Sequence, residues 1–309
     1  MAWLGTLWVA NVLLFAAVAW VAVRSIRGQM LDTVALYGNS FGRRTLDEPL
    51  DAALGAISTA SVGLILIVIL VVALARRRLA LAVMSAAIVV GASASTYVLK
   101  RVIDRPYLGV DPDRAFAGNS LPSGHATAAA AFAIGLTLVL PPRVRGVVSL
   151  VGATYAAIVG VATLSSGWHR PSDVVAAYLV VGGWAAAAGL VLVLTQRPTA
   201  VVVRRDRAGW SLVTSSVLGT GLAAMGLTVT LFVAQRMTEP VELMAPAMLR
   251  LGYVGSVLLV TGAAYLMMAV VLFSVHRVVP HDPGRPVPVG ALGGGWPPLS
   301  MSRPPDPAG

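Results

Sequence analysis

The sequence predicts an all-α fold, a polytopic bundle of membrane-spanning helices. Three observations predict it. The chain is 57% hydrophobic and only 12% charged, where soluble domains average about a quarter charged. Its apolar residues come in uninterrupted runs of about 18 to 25, the length that crosses a bilayer. Short arginine clusters separate the runs, as the positive-inside rule places them.

Eight runs are long enough to be read as spans. The first, Ala2 to Val23, lacks a basic leader and exceeds the apolar core of a signal peptide, so it reads as a retained anchor. A polar segment from Arg24 to Asp51 follows, with mixed charge and a turn-like GNSFG. The second span is expected over Ile57 to Leu74, stopping at Arg76, Arg77 and Arg78, and the third over Leu79 to Leu99. A polar loop from Lys100 to Ser123 precedes the fourth, Gly124 to Leu140, which ends at Pro141 and Pro142. The fifth runs over Val147 to Leu164 and the sixth over Ser172 to Leu194. A basic link, Arg197 to Arg207, leads to a seventh near Ser211 to Ala234 and an eighth near Leu251 to Val275. The tail from Pro280 is rich in Pro and Gly with few apolar residues, a composition that predicts disorder.

The charge pattern orients the bundle. If the spans alternate, the Arg76–Arg78 cluster, Arg143 with Arg145, the Arg197–Arg207 link and the tail share one side. That side is cytoplasmic by the positive-inside rule, and the N-terminus lies with it. The loops holding Lys100 to His125 and Trp168 to Arg170 then share the extracytoplasmic side. The net charge of +10 therefore points to a bilayer and not to nucleic acid, which needs a basic face with groove-fitting elements. Cysteine is absent, which excludes a disulfide framework and thiol chemistry.

The rare ionisable residues fall at span ends on that one face. Lys100 is the only lysine among 23 Lys and Arg residues, and His125 and His169 are two of four histidines. In LPSGHAT, Ser123 suits an N-cap and Gly124 lets backbone approach a ligand closely. The first turn offers unpaired N–H groups and a positive dipole end, a seat for phosphate, and His125 is placed to protonate a leaving group. In GWHRPSD, Pro171 suits the first helical position. Asp173, four residues after His169, is spaced to fix its tautomer so that the other ring nitrogen can attack. Lys100 and Arg105 supply cations for phosphate oxygens. Each motif alone also fits a simpler role: a capped helix with an interfacial His, or a cation reaching the headgroups. Two cations, a helix N-terminus and two histidines on one face together fit phosphoryl transfer. No carboxylate cluster with metal-ligand spacing accompanies them, which points to a metal-independent reaction.

These residues resemble the type-2 phosphatidic acid phosphatase family of integral membrane phosphatases. Its three motifs are a Lys followed by an Arg-Pro pair, then PSGH, then Ser-Arg-x5-His-x3-Asp. Here the first reads KRVIDRPYL, the second is intact as Pro122 to His125, and the third keeps His169-x3-Asp173. The resemblance covers about Ile57 to Leu194, with Ala2 to Val23 completing a six-helix core. It implies a phosphatase core over residues 1–195; the two additional transmembrane helices over 196–277 and the tail over 278–309 lie outside it. It further implies a ping-pong mechanism without a cofactor, acting on a lipid phosphate or pyrophosphate in the bilayer. His169 would be the nucleophile, oriented by Asp173, and His125 the general acid. Lys100, Arg105, Ser123 and Gly124 would hold the phosphoryl oxygens. Two positions depart from the pattern. Tyr107 stands seven residues after Lys100, and Thr163 six residues before His169, where the family carries arginines. Arg170 and Arg114 are candidates to substitute for them. A catalytically degenerate headgroup binder and a transporter are the competing readings. The transporter is disfavoured because no ionisable residue lies mid-span, where coupling usually needs one.

Overall fold

The computed structural model describes residues 2–40, 59–111, 118–195, 208–237 and 244–279. Among the described residues it is a helical bundle without strands: α1 (Ala2–Arg24), α2 (Ile26–Tyr37), α3 (Thr59–Ala75), α4 (Leu79–Val102), α5 (Gly124–Val139), α6 (Pro142–Ser165), α7 (Pro171–Thr195), α8 (Ala208–Arg236) and α9 (Pro246–Val278). All eight apolar runs are helices. Six of these are long and apolar enough to cross a membrane, and Gly63–Ala75 and Gly124–Val139 are shorter apolar helices. The chain is an integral membrane protein. Leu13, Trp20, Leu64, Ile67, Val83, Ile158 and Val217 are exposed on its outside, the side chains expected to meet acyl chains.

Proline at the first turn starts α6 and α9, and Pro171 is the first residue of α7, because its missing N–H has no intrahelical partner to lose. Ser25 caps α2, its Oγ accepting from the Gly28 N–H at 3.0 Å. This twelve-residue helix lies inside the segment expected to be polar linker; the rest of that segment, from residue 41, lies outside the described residues. The Pro/Gly-rich tail lies outside them as well.

The central helix is α5. It has 16 residues, about 24 Å of length, and Ala126 to Ala131 are all buried. Small side chains let α4, α6 and α7 approach it, as expected where lipid provides no hydrophobic drive between helices. The carbonyls at its C-terminal end are met by arginines. Arg76 Nη1 donates to Val139 O at 2.9 Å, Arg145 Nε to Leu140 O at 3.0 Å and Arg145 Nη2 to Leu138 O at 3.2 Å. Two residues of the expected cytoplasmic clusters thus meet the negative end of α5, while its N-terminus carries PSGH at the opposite end.

The last two helices are closely packed. Gly219 and Gly226 of α8 lie against Leu266 and Leu259 of α9 so tightly that a Cβ would fall within 3 Å of α9 backbone. A Cβ on Gly221 would meet nothing within 4 Å. In turn, α9 joins the main core through Val260, Ala264, Met268, Val271 and Val275, and Tyr265 bonds Thr154 of α6 at 2.7 Å. At 33 residues, or about 50 Å, it exceeds the hydrocarbon thickness of about 30 Å. The N-terminal extension carries Leu249, Gly252 and Tyr253 against α2, where Gly38 and Gly252 leave room for the contact.

Candidate active site

The N-termini of α5 and α7 come together at one end of the bundle. A backbone bond joins them directly: the Ser123 N–H donates to Asp173 O at 2.9 Å. The two histidine motifs are thereby held as one unit across 50 residues of sequence.

The nucleophile candidate is placed by the turn after α6. Gly167 adopts φ +70°, the left-handed conformation that ends many helices and that costs a residue with a Cβ. The chain then doubles back, and the N–H groups of Trp168 and His169 both donate to Thr163 O, at 3.0 and 3.1 Å. His169 is buried, and its Nδ1 lies 3.1 Å from Asp173 Oδ2. That oxygen also accepts from the Arg170 N–H at 2.9 Å, and Asp173 is completely buried. A buried carboxylate on Nδ1 selects the tautomer that leaves Nε2 with its lone pair. The spacing read from sequence is realised as a contact.

His125 faces this pair. Its ring centroid lies 6.4 Å from that of His169 and 5.4 Å from the pyrrole–benzene system of Trp168. His125 and Gly124 are half-buried, and a Cβ built on Gly124 would meet nothing within 4 Å. Open space therefore fronts the first turn of α5, where amide groups lack intrahelical acceptors. Ser123 is the N-cap as expected, its Oγ accepting from the Ala126 N–H at 3.3 Å. Thr127 Oγ1 donates to Ser123 O at 2.7 Å and shares a 3.0 Å bond with Thr96 of α4, fixing the first turn of α5 against α4. Lys100 is half-buried in the last turn of α4.

The arginines fare differently. Arg105 is buried and turned toward Asp32 of α2, with Nη2 3.1 Å from Asp32 Oδ2 and 2.8 Å from Ala22 O. Arg170 lies 3.5 Å from Asp111 Oδ2 and donates to Ser120 Oγ at 3.3 Å. Arg114 lies outside the described residues. Of the substituted positions, Tyr107 is half exposed, and Thr163 is completely buried with Oγ1 donating back to Gly160 O at 2.8 Å. Gln29, Thr33, Arg105, Tyr107, Asp111 and Arg170 line a small polar cavity of about 20 Å³ beside the site, room for one water. Burial pushes the Asp32 carboxyl above its ordinary value, against the pull of Arg105 and Ser172.

Sequence reasoning missed Asp32, Gln29 and the Arg170–Asp111 pairing, and it gave Trp168 no role. One signal was present: Asp32 is the only carboxylate between Met1 and Leu46.

The bundle brings two histidines together at paired helix N-termini, one of them bonded to a buried carboxylate, the arrangement that the motifs lead one to expect. Among protein families, residues 78–200, the stretch from α4 through α7, match the model described as the PAP2 superfamily. The match begins after α3 rather than at Ile57. It indicates phosphatase activity in general terms. Comparison with curated proteins and with solved structures finds no match.

Proposed function

We propose that the protein is a lipid phosphate or pyrophosphate phosphatase that works through a phosphohistidine, without a metal ion, at the extracytoplasmic face. The observation that carries this reading is the pair of facing histidines, with Nδ1 of His169 on the buried Asp173 carboxylate. His169 Nε2 attacks phosphorus as the bond to the leaving oxygen breaks, and His125 gives that oxygen its proton. The leaving group is an alcohol from a monoester or a phosphate from a pyrophosphate. Water then attacks the phosphohistidine while His125 takes up the water proton. Inorganic phosphate leaves, and both histidines return to their starting states. The N-terminal amides of α5 and the Lys100 ammonium supply positive field for the transferring group. Among the described residues, no three His, Asp or Glu side chains converge as metal ligands, and each step above is assigned to the chain itself.

The reading places catalysis in residues 1–195 and gives residues 196–277 a supporting role. With the arginine-rich end of α5 cytoplasmic, both chain termini are cytoplasmic and the substrate headgroup meets the site from the outer leaflet. Purified protein in detergent, assayed on a panel of phosphatidic acid, phosphatidylglycerol phosphate and polyprenyl phosphates, tests this. Phosphate release that resists EDTA and vanishes in His169→Ala is expected; strict dependence on Mg²⁺ would sink the metal-free mechanism.

A second reading has its own support. Arg105 and Arg170 are paired with Asp32 and Asp111, and Tyr107 and Thr163 stand where the family has arginines. Among the described residues, a phosphate seat whose nearby guanidinium groups are engaged in this way fits a protein that binds phospholipid headgroups without cleaving them. Binding of lipid phosphate to wild type, with no turnover on any member of the panel, would favour it.

A further inference from the structure

The carboxylate that holds Arg105 comes from a helix outside every motif. Asp32 lies in the middle of α2 and is 5% exposed. Besides Arg105, it takes both donors of one residue: Ser172 Oγ donates to Oδ2 at 2.5 Å and the Ser172 N–H to Oδ1 at 3.3 Å. Ser172 is the second residue of α7. A carboxylate accepting a first-turn N–H acts as a helix cap, and here the cap is supplied from 140 residues away in sequence. Because Arg105 also donates to Ala22 O, the end of α1, the loop after α4 and the start of α7 converge on one side chain. Gln29, three residues earlier on α2, steadies the same junction by donating to Val23 O at 2.8 Å and Pro106 O at 2.9 Å.

The geometry points to Asp32 as a positioning residue for the His169–Asp173 pair. By clasping Ser172 it fixes the rotation of the first turn of α7, and that rotation decides where Asp173 Oδ2 lies. The oxygen must meet His169 Nδ1 and the Arg170 N–H at once, so it tolerates little movement. Misplacement of a reacting group by about 1 Å costs on the order of a hundred-fold in rate. The clasp acts on the nucleophile and leaves the phosphate seat on α5 in place. Its loss therefore falls on kcat and spares KM. The inference rests on His169 being the nucleophile, and its test is built to fail separately from that reading.

The chain has four histidines, so histidine-selective ¹⁵N spectra are simple, and the His169 signals are assigned by their loss in His169→Ala. Asp32→Asn is expected to displace the His169 signals, to leave those of His276 in place, and to lower kcat about ten- to a hundred-fold with KM within about two-fold. Ser172→Ala, which keeps both charges, is expected to move the His169 signals in the same sense by less. If Asp32→Asn does not fold because Arg105 is left unmatched, the double variant Asp32→Asn/Arg105→Gln removes the stranded charge, and the His169 displacement decides. Unmoved His169 signals in a folded variant overturn the proposal, as does a loss confined to KM. A wild type that releases no phosphate, while Asp32→Asn still displaces the His169 signals, overturns the phosphatase reading and sustains the positioning role.

Discussion

His169 and Asp173 are four residues apart, and the whole chemical reading turns on whether that offset becomes a bond. In the fold it does, through a turn that depends on Gly167. Asp173→Asn is expected to lower kcat by about 10² to 10⁴ through loss of the tautomer, with the melting temperature in detergent little changed; phosphate-release kinetics and a thermal melt on the same preparation check both halves. Gly167→Ala forces a Cβ into the left-handed region, at about 1–2 kcal/mol, and displaces His169. It should therefore lower both melting temperature and turnover. A further test concerns pH. Burial raises the Asp32 carboxyl in the folded chain, so the folded state holds that proton more tightly than the unfolded state. The stability owed to this group is full below the ordinary value of 3.8 and falls as pH rises through the raised one. Asp32→Asn should flatten that part of the curve of melting temperature against pH; an unaltered curve would contradict it. His169, Asp173 and the capping Ser123 were legible in sequence because each acts within four residues of its partner. The fate of Arg105 was not, because Asp32 lies 73 residues away.

At the scale of elements, hydropathy was informative for the long apolar helices and silent for α2. The eight apolar runs became helices within a few residues of their expected limits. α2 escaped notice because its buried side includes Gln29, Asp32 and Thr33, so no apolar stripe marks it; polar bonds seat it where other helices use leucines. The clusters that set the expected topology also have a structural use. Arg145→Met removes donors from the Leu138 and Leu140 carbonyls, each costing about 1–3 kcal/mol when buried and unmet. A clear fall in melting temperature is expected while KM stays near wild type, since the site lies at the other end of α5. A KM change as large as the stability loss would show that the two ends are coupled.

Across the whole molecule, the two C-terminal helices are continuous with the rest. Family resemblance drew a line near residue 195, yet α9 packs into the same core as α5, α6 and α7, and Tyr253 bonds Ser165, two residues before the Gly167 turn, at 2.6 Å. Sequence could not reveal this, because Gly and Ala on a lipid-soluble helix say that something approaches closely without saying what. Gly226→Leu should wedge α8 from α9, costing about 1–3 kcal/mol by overpacking, and a drop in melting temperature would register it.

The contact between the start of α9 and α2 also sets an order of events during synthesis. Val34 and Gly38 are made well before their partners Gly252 and Leu249. Chains fold as they emerge, but this pairing must wait for α9 to reach the membrane. Until then α2 has no roof, and with it the Asp32 clasp on α7 lacks its backing. A ribosome stalled after α7 would display every motif of the site in a chain that still lacks the contact between α9 and α2.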